Sequence, residues 1–384
     1  MTAGEESGPG PALGRLVAER TIVVCCGAGG VGKTTTAAVL AAEAAARGRR
    51  AVVVTIDPAR RLADALGLAG LTNDPSLVDW TPGSWGEAAD GQPTDGPGQL
   101  WAMMLDTKGT FDHLVELYSP DPAQAERIKA NRFYRNISGA LSGTQEYMAA
   151  EKLYELHDDT RFDLVVVDTP PTRNALDFLE APARLTRFLD HRLYRALTTP
   201  TRVGLRVVNV AAQAFLRTLS RVVGGDAIAD AISFFRAFDG MEAGFRQRAN
   251  AVAELLRSTE TAYVLVTAPR RDTVEEARYF ARRLAEGGTP AAAVIVNRVH
   301  PDFGPTTAAN AGGRRAGRSA AMVELIENRA ELQAVTDAET VVLAPLTADL
   351  GAVPMATVPL LSTDVHDLQG LSEIADLLFD RRSP

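Results

Sequence analysis

Short, nearly unbroken apolar runs alternate along this chain with longer stretches of helical periodicity. The runs are Thr21–Cys26, Ala51–Ile56, Leu100–Leu105, Asp163–Val167, Ala262–Thr267, Ala292–Val296 and Val341–Ala344. A strand covered by helices on both faces reads as a continuous apolar run, whereas a half-solvated strand alternates. Helical periodicity fills Thr35–Arg47 and Val274–Glu286. Strand–helix alternation predicts an α/β fold, a parallel sheet flanked by helices. Two stretches, 110–160 and 181–258, carry no strand signal and read as mostly helical, a helical subdomain inserted into the sheet domain. Residues 82–98, rich in Gly, Pro and Asp, predict a mobile loop. Residues 304–319, rich in Gly, Ala and Arg, predict disorder. Residues 1–15 read as a disordered tail ahead of one domain over 16–384, with no internal repeat.

Composition narrows the function classes. The 384 residues carry a formal charge of −8, which argues against general nucleic-acid binding. The acidic, Gly/Pro-rich start lacks the basic and apolar regions of a signal peptide. No apolar run is long and clean enough to span a bilayer, so a cytoplasmic protein is predicted, with a peripheral membrane contact left open. The only cysteines, Cys25 and Cys26, are adjacent, and neighbours on a strand point to opposite faces. They read as small apolar residues of a buried strand.

Chemistry enters at Gly27-Ala-Gly-Gly-Val-Gly32-Lys33-Thr34, which matches G-x-x-x-x-G-K-[ST]. An apolar strand runs into it and a helix runs out, the context that gives the motif its meaning. Gly27, Gly29, Gly30, Val31 and Gly32 let successive backbone N–H groups curl around phosphate oxygens. The helix start adds its positive dipole end, and Lys33 adds a point charge for the β- and γ-phosphates. The Thr34 hydroxyl is placed for Mg²⁺, with Thr35 next to it. ATP and Mg²⁺ are the predicted ligands.

Two acidic residues follow apolar strands, Asp57 in Thr55-Ile-Asp57-Pro58-Ala59 and Asp168 in Asp168-Thr169-Pro170-Pro171-Thr172. Ligands of open parallel sheets sit at the carboxyl ends of strands, so both carboxylates belong beside the phosphate loop. Asp168 is assigned to magnesium and Asp57 to the attacking water, with a share in the metal; the two roles can be exchanged on sequence alone.

These motifs together resemble the ArsA-type anion-transporting ATPases, a family of arsenite-pump ATPases and ATPases that target tail-anchored membrane proteins. Asp57-Pro58-Ala59-Arg60-Arg61-Leu62-Ala63-Asp64-Ala65-Leu66 is similar to its first switch, and Asp168–Leu176 to its second. Gly143-Thr144-Gln145-Glu146 resembles a Gly-x-x-Glu turn before a helix. Asn297, in Val296-Asn297-Arg298, stands where the family reads adenine, and Pro359, Leu360 and Asp364 fall in the loop that covers the base. The resemblance runs from about residue 20 to the C-terminus. It implies a dimer that ATP closes and hydrolysis opens, and a helical subdomain that handles clients or membrane partners.

Two departures matter. The family's loop usually carries a second lysine that reaches across the dimer to the partner's phosphates; here the position is Ala28. This favours a heterodimer with a lysine-bearing paralogue over a homodimer, and it keeps a weakly active regulatory subunit as the alternative to an ATP-driven switch. Arsenite-pump members hold metalloid through cysteines, and some targeting members hold zinc through Cys-x-x-Cys. Cys25-Cys26 provides neither, and His113, His157, His191, His300 and His366 lack paired ligand spacing, so no zinc or metalloid is expected. A guanine-reading Lys-x-Asp does not follow Asn297, which disfavours a GTPase.

One segment stands apart from this chemistry. Residues 182–224 carry eight arginines, Arg184, Arg187, Arg192, Arg195, Arg202, Arg206, Arg217 and Arg221, against one acid, Asp190. Interleaved with Leu185, Phe188, Leu189, Phe215 and Leu219, they suit either an amphipathic helix on a membrane or membrane-protein partner, or a solvated basic face.

Overall fold

The computed structural model describes residues 8–56, 61–79, 85, 98–140, 144–170, 175–190, 225–238, 240–304 and 320–381. They fall into two compact units, Met1–Met103 with Thr160–Ala175 and Thr259–Pro384, and Met104–Asp159 with Leu176–Ser258.

The first unit is α/β. Its eight strands are β1 (Ile22–Cys26), β2 (Arg50–Thr55), β3 (Ser76–Leu77), β4 (Gln99–Met104), β5 (Leu164–Asp168), β6 (Thr261–Thr267), β7 (Ala293–Val299) and β8 (Met355–Pro359). They form one sheet in the order β3-β4-β2-β5-β1-β6-β7-β8. The run from β2 to β8 pairs in parallel, and β3 joins β4 antiparallel. β1, β5 and β6 are buried at every residue, which is why the sequence shows them as solid apolar runs. Each fully buried Val, Leu or Ile contributes roughly 1.5–3 kcal/mol of transfer free energy.

Helices cover both faces: α1 (Pro9–Glu19), α2 (Lys33–Ala46), the short α3 (Arg61–Ala65), then α11 (Arg271–Glu286), α12 (Ala320–Leu350) and α13 (Leu368–Leu378). α2 is buried almost all round, from Thr36 to Ala45. Its alanines let it lie close against β2 and β5 on one side and α1 and α13 on the other. Its one buried acid, Glu43, pairs with Arg47 at 2.9 Å and with Arg381, and accepts from the Trp85 indole N–H at 3.3 Å.

The second unit is helical: α4 (Thr107–Tyr118), α5 (Pro122–Ala130), α6 (Arg132–Ala140), α7 (Thr144–Asp158), α8 (Ala175–Asp190), α9 (Gly225–Ala237) and α10 (Glu242–Arg257). Asp106 and Asp121 cap α4 and α5 by accepting from the Lys108 and Gln124 amides. An aromatic core of Tyr134, Phe234, Phe238 and Phe245 holds the unit together, with the rings of Phe238 and Phe245 4.9 Å apart. Within it, Glu151 is buried against Arg248, whose guanidinium lies 3.9 Å from the Tyr154 ring centre.

Two sequence expectations need correction. Val341–Ala344 is not a strand but part of α12; Val341 is 71% exposed, so its apolar run covers no sheet. The last strand is instead β8, whose buried and open positions alternate because it is an edge strand. The expected tail over 1–15 gives way at Pro9 to α1, which buries Leu13, Leu16 and Val17. The loop expected at 82–98 lies outside the described residues except at its end, Gly98, and at Trp85, which is buried. The expected disorder at 304–319 falls outside them beyond Gly304. No helix among the described residues is long and apolar enough to cross a membrane.

Candidate functional site

The carboxyl ends of the parallel strands open on a cleft of about 640 Å³. It is built where β1 gives way to the phosphate loop and the loop to α2. Gly27 has φ 153° and packs so closely that a Cβ there meets the Val266 carbonyl oxygen at 2.0 Å. Gly32 has φ 99°, and a Cβ there meets Asn297 Nδ2 at 2.2 Å. Both positions need glycine for conformation, and Gly27 also for space, since its neighbour is backbone; at Gly32 the Asn297 side chain would have to move. Gly29, Gly30, Gly32, Lys33, Thr34 and Thr35 all line the cleft. Val31 is buried beneath it and gives its carbonyl oxygen to Asn297 Nδ2 at 3.0 Å.

Sheet register explains the next contact. Asp168 ends β5, opposite Cys25 of β1 and Thr55 of β2. Its Oδ2 accepts from the Thr34 hydroxyl at 2.6 Å and from the Thr55 hydroxyl at 3.0 Å. Asp168 is 1% exposed, so these donors offset the cost of burying its charge. Thr169 reinforces the strand end by donating to the Cys25 carbonyl at 2.7 Å.

Lys33 is buried and donates from Nζ to the Ala28 carbonyl oxygen at 2.8 Å. Burial holds its ammonium below the usual lysine range, and the charge of Asp168 acts against that shift. A charged group desolvated this way gains by meeting an anion. Ala28 itself is buried in the core beneath the loop. The thiols of Cys25 and Cys26 are buried and free; burial pushes Cys26 up to about 12, so neither is a nucleophile at neutral pH.

The far wall comes from β7, β8 and the segment after β8. Asn297, Arg298, Pro359, Leu360 and Asp364 line the cleft together because Asn297 pairs with Val358 and Val299 with Pro359. Asp367 caps α13 by accepting from the Gly370 amide at 2.8 Å, which fixes the end of that segment. Asp57 lies outside the described residues, as do Arg192 to Arg221 of the arginine-rich segment. Of its described members, Arg184 pairs with Asp177 and Glu180, and Arg187 donates to the Ala183 carbonyl at 3.3 Å.

The cleft also holds Arg61, Asp64 and Thr169, which stand in the quoted motifs but were given no role, and His366, which stands in none, with Thr55 behind them on Asp168. Thr55 had one signal, its place two residues before Asp57 at a strand end. His366 had none, since a lone histidine carries no spacing.

The site's residues fit a magnesium nucleotide. The loop offers backbone donors and an ammonium to phosphate, and Thr34 with Asp168 offers hard oxygen donors. Mg²⁺ is commonly held by one or two carboxylates plus substrate phosphates, so that small set suffices. Among the described residues no group of three or more His, Cys, Asp or Glu forms a separate metal site.

Comparison with known proteins follows the same lines. The chain is 28% identical to ATPase asna-1 of Caenorhabditis elegans over 139 residues, 36% of this chain and 38% of that protein. It is 28% identical to the ATPase ASNA1 homolog of Babesia bovis over 145 residues, 37% of this chain and 33% of that protein. The match thus spans well under half the length of either relative. The model of the anion-transporting ATPase family, by contrast, matches residues 20–380, nearly the whole chain, and the chain belongs to that family.

Proposed function

We propose that this chain binds ATP with magnesium in the cleft and hydrolyses it to ADP and phosphate. The observation that carries the reading is the convergence of Lys33, Thr34, Thr55 and Asp168 at the end of β1 and β5. On binding, Lys33 exchanges the neutral Ala28 carbonyl for a phosphate oxygen, a stronger, charge-assisted bond. The loop amides fix the triphosphate, and Thr34 and Asp168 would hold magnesium, which neutralises phosphate charge. Asp57 is assigned to orienting the water. Asn297, Pro359, Leu360 and Asp364 would face the adenine.

The test is turnover of the purified chain with and without magnesium. Lys33→Ala is expected to lower it at least a hundredfold; a Lys33→Ala variant as active as its parent overturns the reading. We further propose a dimeric switch coupled to a membrane-associated client, in a cytoplasmic protein that touches the membrane at its periphery. The family membership and the relatives' names support the ATPase part only; client and partner rest on the arginine-rich segment and the helical unit.

A second reading, a regulatory subunit with little turnover of its own, is favoured by Ala28, whose buried methyl cannot supply a cation to a neighbouring site. Rapid turnover of the chain alone removes it. Turnover that appears only on mixing with a lysine-bearing paralogue supports it, together with the heterodimer.

A further inference from the structure

β7 does not end cleanly against β8. Its register slips between Asn297 and Val299, and the residue at the slip, Arg298, adopts φ 63°. That left-handed conformation is uncommon for any residue but glycine, and where it persists it clusters at binding sites. Three hydrogen bonds hold it. Asn297 Nδ2 donates to the Val31 carbonyl at 3.0 Å, Asn297 Oδ1 accepts from the Arg298 amide at 2.9 Å, and Arg298 Nη1 donates to the Gly30 carbonyl at 3.3 Å. The strained backbone thus presents a guanidinium to the lip of the phosphate loop.

What the guanidinium does not meet there is equally informative. Asp64, Asp168 and Asp364 line the same cleft, yet among the described residues the guanidinium of Arg298 bonds to the Gly30 carbonyl oxygen and makes no ion pair with them. A permanently charged, five-donor group is held by one neutral acceptor at the long end of hydrogen-bond range. A loop brace alone does not need that charge, because an amide side chain donates as well to a carbonyl. A planar cation at the lip of a phosphate-binding cleft, with no ion pair to any described carboxylate, suits one class of ligand, the oxygens of a polyphosphate.

We propose that Arg298 is a phosphate-contact residue of the nucleotide site. When nucleotide enters, its guanidinium leaves the Gly30 carbonyl and donates to the phosphate chain, beside Lys33. The proposal rests on the ATP-binding reading above and deepens it. Adenine stacked on the guanidinium is the competing arrangement, and the test separates the two.

The full chain is titrated with a fluorescent ATP analogue, and with magnesium tripolyphosphate, which has no base, as the displacing probe. One charge-assisted bond predicts that Arg298→Ala and Arg298→Gly weaken both ligands about tenfold to a hundredfold, with Arg298→Lys regaining part. Nucleotide-free Arg298→Gly should melt at or above the parent's temperature, because glycine suits φ 63°. This readout separates a ligand contact from a structural brace, and it stays usable if the alanine variant folds poorly. Loss of ATP affinity with tripolyphosphate affinity unchanged assigns the residue to the base and overturns the proposal. A lowered melting temperature with both affinities unchanged also overturns it. A parent chain that binds neither ligand refutes the ATP-binding reading itself, whereas a binding parent matched by all three variants refutes only the role of Arg298.

Discussion

Gly32→Ala tests how tightly the phosphate loop is held against the sheet. Gly32 sits at φ 99° and ψ 23°, as the residue preceding α2. An alanine forced into a left-handed conformation costs roughly 1–2 kcal/mol. Its Cβ also falls 2.2 Å from Asn297 Nδ2, so the Asn297 side chain must move and give up its bond to the Val31 carbonyl. A net hydrogen bond of this kind is worth about 0.5–1.5 kcal/mol. The two effects sum to roughly 1.5–3.5 kcal/mol, a fall in melting temperature on the order of 3–14 °C for a domain of 150–250 residues. Denaturant unfolding of the parent, Gly32→Ala, Asn297→Ala and the double variant gives the cycle. In the Asn297→Ala background the bond is already lost, so Gly32→Ala should cost only the conformational part. A coupling of about 0.5–1.5 kcal/mol is expected. If Gly32→Ala costs the same in both backgrounds, the contact with Asn297 is not what excludes a side chain there. If it costs nothing in either, the strain argument fails as well.

Other consequences can be checked separately. Asp168→Asn removes the charged acceptor of Thr34 and Thr55, so nucleotide affinity should lose its dependence on magnesium, read by titration with and without EDTA. Glu43→Gln leaves Arg47 and Arg381 without their buried carboxylate, and breaking such a pair should cost about 3–5 kcal/mol in denaturant unfolding. Asp163 takes two hydrogen bonds from the Arg50 guanidinium and one from its amide, which hold its carboxyl below the usual range. Folding stabilised by a depressed carboxyl pKa is fully present above the unfolded value and is lost as pH falls through the folded one. Asp163→Asn should therefore be less stable than its parent at pH 7, by a small margin because the pair is open to solvent, and should match it in strong acid.

The sheet was legible because burial on both faces leaves little freedom in residue type. Thr21–Cys26, Ala51–Ile56 and Ala262–Thr267 each fall within a residue or so of a strand. Val341–Ala344 misled for the same reason: four apolar residues have no period, and a helix of 31 residues absorbed them. The short edge pieces β3 and β8 were missed because one covered face gives a weak pattern. At the site, glycines at fixed spacing announced the loop, and strand-end position announced Asp168. Asn297 was read as an adenine contact, and it does line the cleft, but its amide also ties down Val31, a tertiary contact 266 residues away that no local pattern contains. The bonds from Thr55 to Asp168 and from Arg298 to Gly30 were not legible for the same reason, being set by sheet register and by a slip in it.

The Glu43 cluster gives the first unit a built-in optical gauge. Lys33 and Glu43 lie on one straight rod of packed alanines, ten residues and so about 15 Å apart. At the nucleotide end that rod starts at the phosphate loop; at the other, its carboxylate touches the indole of Trp85. Indole emission is sensitive to a charged neighbour. A slide or tilt of the rod as ligand docks should therefore register as a change in tryptophan emission, without any dye or label.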